Sequence, residues 1–138
     1  MERYLLDTNV ALFAVSEQIK EIDRRVTKIV SNYENLFYVS TVSVREIIHL
    51  CKRGKIRGRW KTAEDILPSI EAMGYEILPV KREHLVAYAR LEPLASHNDP
   101  NDHMIISQAI AEKLTLISSD RKFEPYIKQK LKFIFNER

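Results

Sequence analysis

Short apolar runs alternate along this chain with segments whose apolar residues recur every three or four positions. Tyr4-Leu5-Leu6, Leu36-Phe37-Tyr38-Val39, Tyr75-Glu76-Ile77-Leu78, Leu114-Thr115-Leu116-Ile117 and Phe133-Ile134-Phe135 read as strands. Most are nearly continuous apolar runs, the pattern of strands covered on both faces. Between them, Ile19, Ile22, Val26, Ile29 and Val30 mark a helix over Ile19–Val30, and a second runs from Val42 to Arg53 and ends at Gly54. Thr62-Ala63-Glu64-Asp65 has the form of a cap before Ile66, Leu67, Ile70 and Met73. Glu83–Leu91 and Asp102–Glu112 supply two more helices. Strands alternating with helices predict an α/β fold: a three-layer α/β/α sandwich around a mainly parallel sheet of about five strands.

No repeat, low-complexity tract or long linker divides the chain, so residues 1–138 read as one domain. No apolar run approaches the roughly 18 residues of a membrane span. Tyr4-Leu5-Leu6 follows the N-terminus without the form of a signal peptide, and the lone Cys51 has no disulfide partner within the chain. The expectation is a cytoplasmic protein with no membrane partner, with Cys51 as a small core residue.

Four acidic side chains hold unusual places in this pattern. Asp7 directly follows the first strand, and Asp120 follows the Leu114–Ile117 strand after two serines. Either position also suits an ordinary helix N-cap. Glu46 is less easily explained. On a helix from Val42, the polar Arg45, His49 and Lys52 share one face, whereas Glu46 lies between Val42 and Leu50 in the apolar arc. A carboxylate buried there must pair with a cation, bind a metal, take up a proton or reach water at an edge. Asp102 repeats the anomaly, on the row of Ile105, Ile106, Ala109 and Ile110. Asp99, just before Pro100, is the more ordinary turn residue and a candidate support for the other acids.

In a mainly parallel sheet, functional residues gather where strands end. Acids from distant segments converging there would repel by several kcal/mol per close pair at an effective dielectric of ~20. A hard divalent cation relieves this, and an all-oxygen donor set favours Mg²⁺ or Mn²⁺ over zinc. No Cys/His pair has zinc-ligand spacing. Formal net charge is +3; setting aside four acids leaves 22 Lys and Arg against 15 acidic residues, an excess of seven. Such a chain can attract a phosphate backbone while keeping one acidic pocket.

Leu5-Leu6-Asp7-Thr8-Asn9, Ser43-Val44-Arg45-Glu46-Ile47, Asp99-Pro100-Asn101-Asp102-His103-Met104-Ile105-Ile106-Ser107-Gln108-Ala109 and Leu116-Ile117-Ser118-Ser119-Asp120-Arg121-Lys122-Phe123 resemble, in order and separation, the motifs of PIN domains, in particular VapC-type toxins of toxin–antitoxin pairs. The third segment is the most specific; its usual form is Asp-Pro-Phe-Asp-Arg before an aliphatic run ending in Gln-Ala. The resemblance covers essentially the whole chain. It implies a metal-dependent endoribonuclease with Asp7, Glu46, Asp102 and Asp120 as catalytic metal ligands for Mg²⁺ (or Mn²⁺). Asn9 and Ser118 match the polar residues that accompany them. It also implies an RNA substrate, a small cognate antitoxin and a homodimer. This chain departs from the usual pattern at Asn101 (usually Phe), His103 (usually Arg) and Arg45 (often Trp), and none of these removes an acid.

Arg53, Lys55, Arg57, Arg59 and Trp60 form a basic run with one aromatic residue. It could track an RNA backbone with Trp60 stacked on a base, or equally form a solvated helix end or a docking face for an acidic partner. His97 and His103 lie beside the acidic segment, where surface or capping roles weigh against general-acid or metal roles. His49 and His84 read as exposed helix residues. A haloacid-dehalogenase-type phosphotransferase would need a second Asp where Asn9 stands. Three further alternatives are a DNA nuclease, an RNA-processing nuclease outside any toxin system, and a catalytically silent PIN-like module that only binds a partner.

Overall fold

The computed structural model describes residues 1–16, 19–56, 58 and 60–138. Five strands, β1 (Arg3–Leu6), β2 (Leu36–Ser40), β3 (Glu76–Leu78), β4 (Thr115–Ser118) and β5 (Lys132–Phe135), form one sheet in the order β3-β2-β1-β4-β5. All four pairings are parallel. The chain steps outward from β1 to β2 and β3, then crosses back to place β4 on the other side of β1. The crevice outside the carboxyl ends of β1 and β4 is therefore a topological switch point, where open α/β sheets place their sites.

Register aligns the ends of the three central strands. Leu6 pairs with both Val39 and Ile117, so Asp7, Ser40 and Ser118 follow side by side. Burial on both faces explains the continuous apolar strands. Tyr4, Leu6, Val39 and Ile117 pack with α1 (Thr8–Val15), α2 (Arg24–Ser31), α3 (Thr41–Lys52) and α4 (Ile66–Ala72). Leu5 and Leu116 point the other way, toward α6 (Pro100–Glu112) and the 3₁₀ segment Arg121–Gln129. Helix α5 (Arg82–Arg90) lies beside α6. The three layers expected from the hydrophobic pattern are present, and the sheet is wholly parallel.

Several boundaries differ from the periodicity. The helix expected over Ile19–Val30 is two pieces, a 3₁₀ turn at Ile19–Glu21 and α2. Asp23 interrupts it as an N-cap, its Oδ1 accepting from the Val26 amide at 2.7 Å. Helix α1 has no polar face to reveal it, because six of its eight residues are buried. Helix α6 starts two residues before Asp102: Pro100 takes the first turn and Asp99, rather than forming a simple turn, is the N-cap that accepts from the Asn101 amide at 2.9 Å. At the end of α3, Gly54 adopts φ 68°, a left-handed conformation that costs glycine little. Among the described residues, no helix is long and apolar enough to cross a membrane.

Candidate functional site

The acids reach one end of the sheet by different local routes. Asp7 leaves β1 and enters α1 as its N-cap residue; its backbone amide donates to the Ile117 carbonyl and its carbonyl accepts from the Ala11 amide, both at 2.9 Å. Its carboxylate is not used as a cap. It turns toward β4 instead, where Oδ2 accepts from the Ser118 hydroxyl at 2.7 Å. The Ser118 oxygen also accepts from the Asp120 amide at 3.0 Å, so one buried hydroxyl joins the two loops. Asp120 does cap the segment after it, through a 2.9 Å bond from the Lys122 amide to Oδ1.

Glu46 sits on the second turn of α3, and this helix starts beside Asp7 because Ser40 ends β2 and caps it, accepting from the Val42 amide at 3.0 Å. A buried hydrogen bond from Thr8 to Ser43, 2.9 Å between hydroxyl oxygens, ties α1 to α3 just below. As the apolar row implies, Glu46 is half-buried, and its Oε1 is fully buried without a hydrogen-bond partner. Asp102, in the first turn of α6, receives a hydrogen bond on Oδ2 from His97 at 2.9 Å. Asn9 is exposed on α1.

Electrostatics bind these residues into one group. Burial raises the Asp7 carboxyl to about 6 despite the Ser118 bond, and the charges of Asp102 and Asp120 push the same way. Glu46 is raised to about 7 by burial, then by Asp7, Asp102 and Asp99, with the Thr8 hydroxyl opposing the rise. Asp102 is raised too, chiefly by burial; His97 opposes the rise, and Asp99 and Asp120 reinforce it. Asp7, Glu46 and Asp102 are each raised further by at least two other acids, and among the described residues no Lys or Arg stands among the causes of these shifts. Such a pocket can accept a cation as counter-charge. An orphaned buried carboxylate oxygen beside two more crowded acids, with only oxygen donors, is the setting a hard divalent ion fits.

A tighter triad of potential ligands lies elsewhere. Among the described residues, Glu83, His84 and Glu112 have ligand atoms all within 4.8 Å of one another, a spacing that no three of the four acids meet. His84 has no free nitrogen to offer, however. Its Nδ1 accepts from the Lys81 amide at 2.9 Å, capping α5, so Nε2 carries the proton and donates to Glu112 at 2.9 Å. The expectation of an exposed His84 is corrected: the side chain is 0% exposed, because the α5 cap draws it against α6.

His97 and His103 are not surface residues either; both are buried, bonded to Asp102 and to the His97 carbonyl respectively. The sequence offered no periodic signal for His97, which lies in the connection between α5 and α6. Asn136 was also missed. It is fully buried, its Oδ1 accepting from the Asp23 amide and its Nδ2 donating to the Glu21 carbonyl and the Ser119 hydroxyl, each at 2.8 Å. Of the basic run, Arg53 and Lys55 are exposed at the end of α3, and Arg57 and Arg59 lie outside the described residues. Trp60 is half-buried against the core beside α3 and covers Gly58 so closely that a Cβ there would meet its ring at 2.4 Å. Cys51 is partly buried against the same core.

The fold is a wholly parallel five-stranded α/β sandwich with Asp7 at its switch point, close enough to Asp102 and Asp120 for their charges to act on it and to Glu46 for its own to act there. The PIN domain family model matches residues 4–127, and the chain belongs to that family. No curated protein sequence matches it. Among solved structures, VapBC2 from Rickettsia felis bound to a DNA fragment from their promoter is 19% identical, with a TM-score of 0.68 over 98% of this chain and 99% of that one. DNA-bound VapBC from Salmonella typhimurium is 17% identical, with a TM-score of 0.67 over 98% of each chain. VapBC-5 from Mycobacterium tuberculosis, a member of the VapBC family of toxin-antitoxin systems, is 17% identical, with a TM-score of 0.60 over 98% and 99%. At these identities the likeness is one of fold.

Proposed function

We propose that this PIN-domain protein is a Mg²⁺- or Mn²⁺-dependent endoribonuclease and the toxin of a toxin–antitoxin pair, with a small antitoxin as partner, and that it acts in the cytoplasm as a homodimer. The observation that carries the catalytic part is the Glu46 oxygen that is buried without a hydrogen-bond partner among the described residues, on a side chain close enough to Asp7 and Asp102 for their charges to raise it. The toxin role is supported by membership of the PIN family and by the fold shared with proteins of VapBC systems.

Asp7, Glu46, Asp102 and Asp120 would hold the metal. Once bound, it supplies positive charge to the scissile phosphate and the Lewis acidity that makes water a nucleophile at neutral pH. The chain's own part is positional. Ser118 holds Asp7 and the Asp120 backbone in one arrangement, while Ser40 and the Thr8–Ser43 bond hold α3 so that Glu46 points to the same place. Crowding keeps the carboxylates poised to exchange protons for a cation. None is placed to act as a covalent nucleophile in this reading; the bond broken is a phosphodiester P–O, and water supplies the new P–O bond. Arg53 and Lys55, with Arg57 and Arg59, would add attraction for the RNA backbone.

Purified protein should cut single-stranded or loop RNA with Mg²⁺ or Mn²⁺ and lose that activity in EDTA. Cleavage that persists without metal would refute the mechanism. Cleavage of DNA but not RNA would transfer the site to a DNA nuclease. Expression alone should arrest growth and the small protein encoded beside it should relieve the arrest; harmless expression of active enzyme would remove the toxin role.

A further inference from the structure

We infer that His97 is a positioning residue for the Asp102 carboxylate, itself held in place by His103; the inference rests on the metal-site reading above. His97 is 3% exposed, and its Nε2 lies 2.9 Å from Asp102 Oδ2. Its Nδ1 is buried without a hydrogen-bond partner among the described residues. In the neutral ring a bare lone pair left there costs less than an orphaned N–H, and Nε2 is the nitrogen that faces Asp102, so the geometry favours the tautomer whose Nε2–H donates to the carboxylate. The ring has little freedom to do otherwise. It meets His103, Phe123 and Tyr126 in edge-to-face contacts with centroids 5.3, 5.4 and 5.6 Å away.

The backbone beneath the ring is equally constrained. The His97 amide donates to the Leu94 carbonyl at 3.0 Å, and the Leu94 amide donates to Tyr126 Oη at 3.2 Å. His103, one residue beyond Asp102 on α6, donates from Nε2 to the His97 carbonyl at 2.7 Å. The same helical turn therefore carries the carboxylate and grips the loop that steadies it. Steadying is needed because Asp99 and Asp120 repel Asp102. A free carboxylate would relieve that repulsion by rotating toward water. The His97 N–H fixes one oxygen and leaves the other to the acid pocket, as a hydrogen-bonded partner behind a metal ligand does. His103 stands where the family motif has Arg, so in this chain that position serves the loop.

The test uses two variants of the full chain and Mn²⁺ binding read by electron paramagnetic resonance. His97→Phe keeps an aromatic ring in the stack and removes the donor; His97→Gln can restore a donor. Mn²⁺ should bind about 10- to 100-fold more weakly to H97F, with part of the loss recovered in H97Q. RNA cleavage should lose kcat with little change in KM. In the metal-free wild-type protein, ¹⁵N spectra taken where the ring is neutral should show the Nε2–H tautomer of His97 rather than the Nδ1–H tautomer. That signature does not depend on either variant folding. Folded H97F with wild-type Mn²⁺ affinity, or a neutral His97 that carries its proton on Nδ1 and not on Nε2, overturns the role of His97 alone. A wild-type protein that binds no Mn²⁺, or D102N binding as well as wild type, overturns the metal-site reading and the inference with it.

Discussion

The Arg45 guanidinium on α3 donates to the Asn101 side-chain oxygen on α6 at 2.9 Å, each residue standing one position before an acid of the site. Both positions depart from the usual family motif, and they are each other's partner. The bond ties together the helices that carry Glu46 and Asp102. Because it is exposed, water competes for both groups, and a double-mutant cycle with R45A and N101A should give a coupling of no more than about 1 kcal/mol in urea denaturation. A coupling several times larger would mean the pair is desolvated, contrary to its exposure.

Metal-free protein should lose stability as pH rises from about 4 to about 7. Asp7 and Glu46 have folded-state pKa values raised to about 6 and about 7, so the folded chain keeps protons that the unfolded chain has already released. Stability therefore falls across that window, by about 3 kcal/mol for the shift at Asp7 alone. Thermal denaturation in EDTA at stepped pH measures it. A saturating divalent ion should reverse the loss at pH 7, by about 2.7 kcal/mol at a hundred times its dissociation constant. A stability that climbs between pH 4 and 7 without metal would contradict the burial of Asp7 and Glu46 that, with the neighbouring acids, raises them.

Asp7→Asn should reduce RNA cleavage by more than about 100-fold, beyond the range for residues that merely support a ligand. The amide oxygen can still accept from Ser118, and a neutral side chain removes the cost of charge in a site 4% exposed. Metal-free D7N should consequently melt above wild type at pH 7. Retained cleavage would remove Asp7 from the site; a lower melting point would mean that its charge is compensated by a group other than a metal.

Ser118→Ala should lower stability by about 1–3 kcal/mol, since it strips a buried acceptor from the Asp120 amide and the donor from Asp7. Cleavage should fall less than in D7N, because all four acids remain. Chemical denaturation and initial rates on the same preparation separate the two effects.

Asn136→Ala should cost about 2–3 kcal/mol while leaving cleavage by the folded fraction nearly unchanged. Its amide satisfies Asp23, Glu21 and Ser119 at once, joining the chain's last strand to the turn before α2. A loss of cleavage out of proportion to the loss of fold would show that Ser119 transmits its position to Asp120.

Much of this arrangement is legible in local pattern. Continuous apolar runs between helical periods dictate strands covered on both faces, and hence the parallel sandwich. Glu46 stands out because a carboxylate in the apolar row of a helix's second turn has no local reason to be there, whereas Asp102 lies in the first turn of α6, where an acid also suits the helix end. Tertiary structure decided the rest, because hydrogen-bond partners distant in sequence leave no period to read. Asp23 breaks an otherwise plausible helix partly for the sake of Asn136, 113 residues away. Helix α1 is hidden because six of its eight residues are buried, and His84 looks exposed until its cap draws it against α6. The placement of His97 behind Asp102 depends on a loop pinned by Tyr126, His103 and its own backbone. Burial and periodicity are properties of a segment, whereas the direction in which a buried polar atom points is settled only when every neighbour is in place.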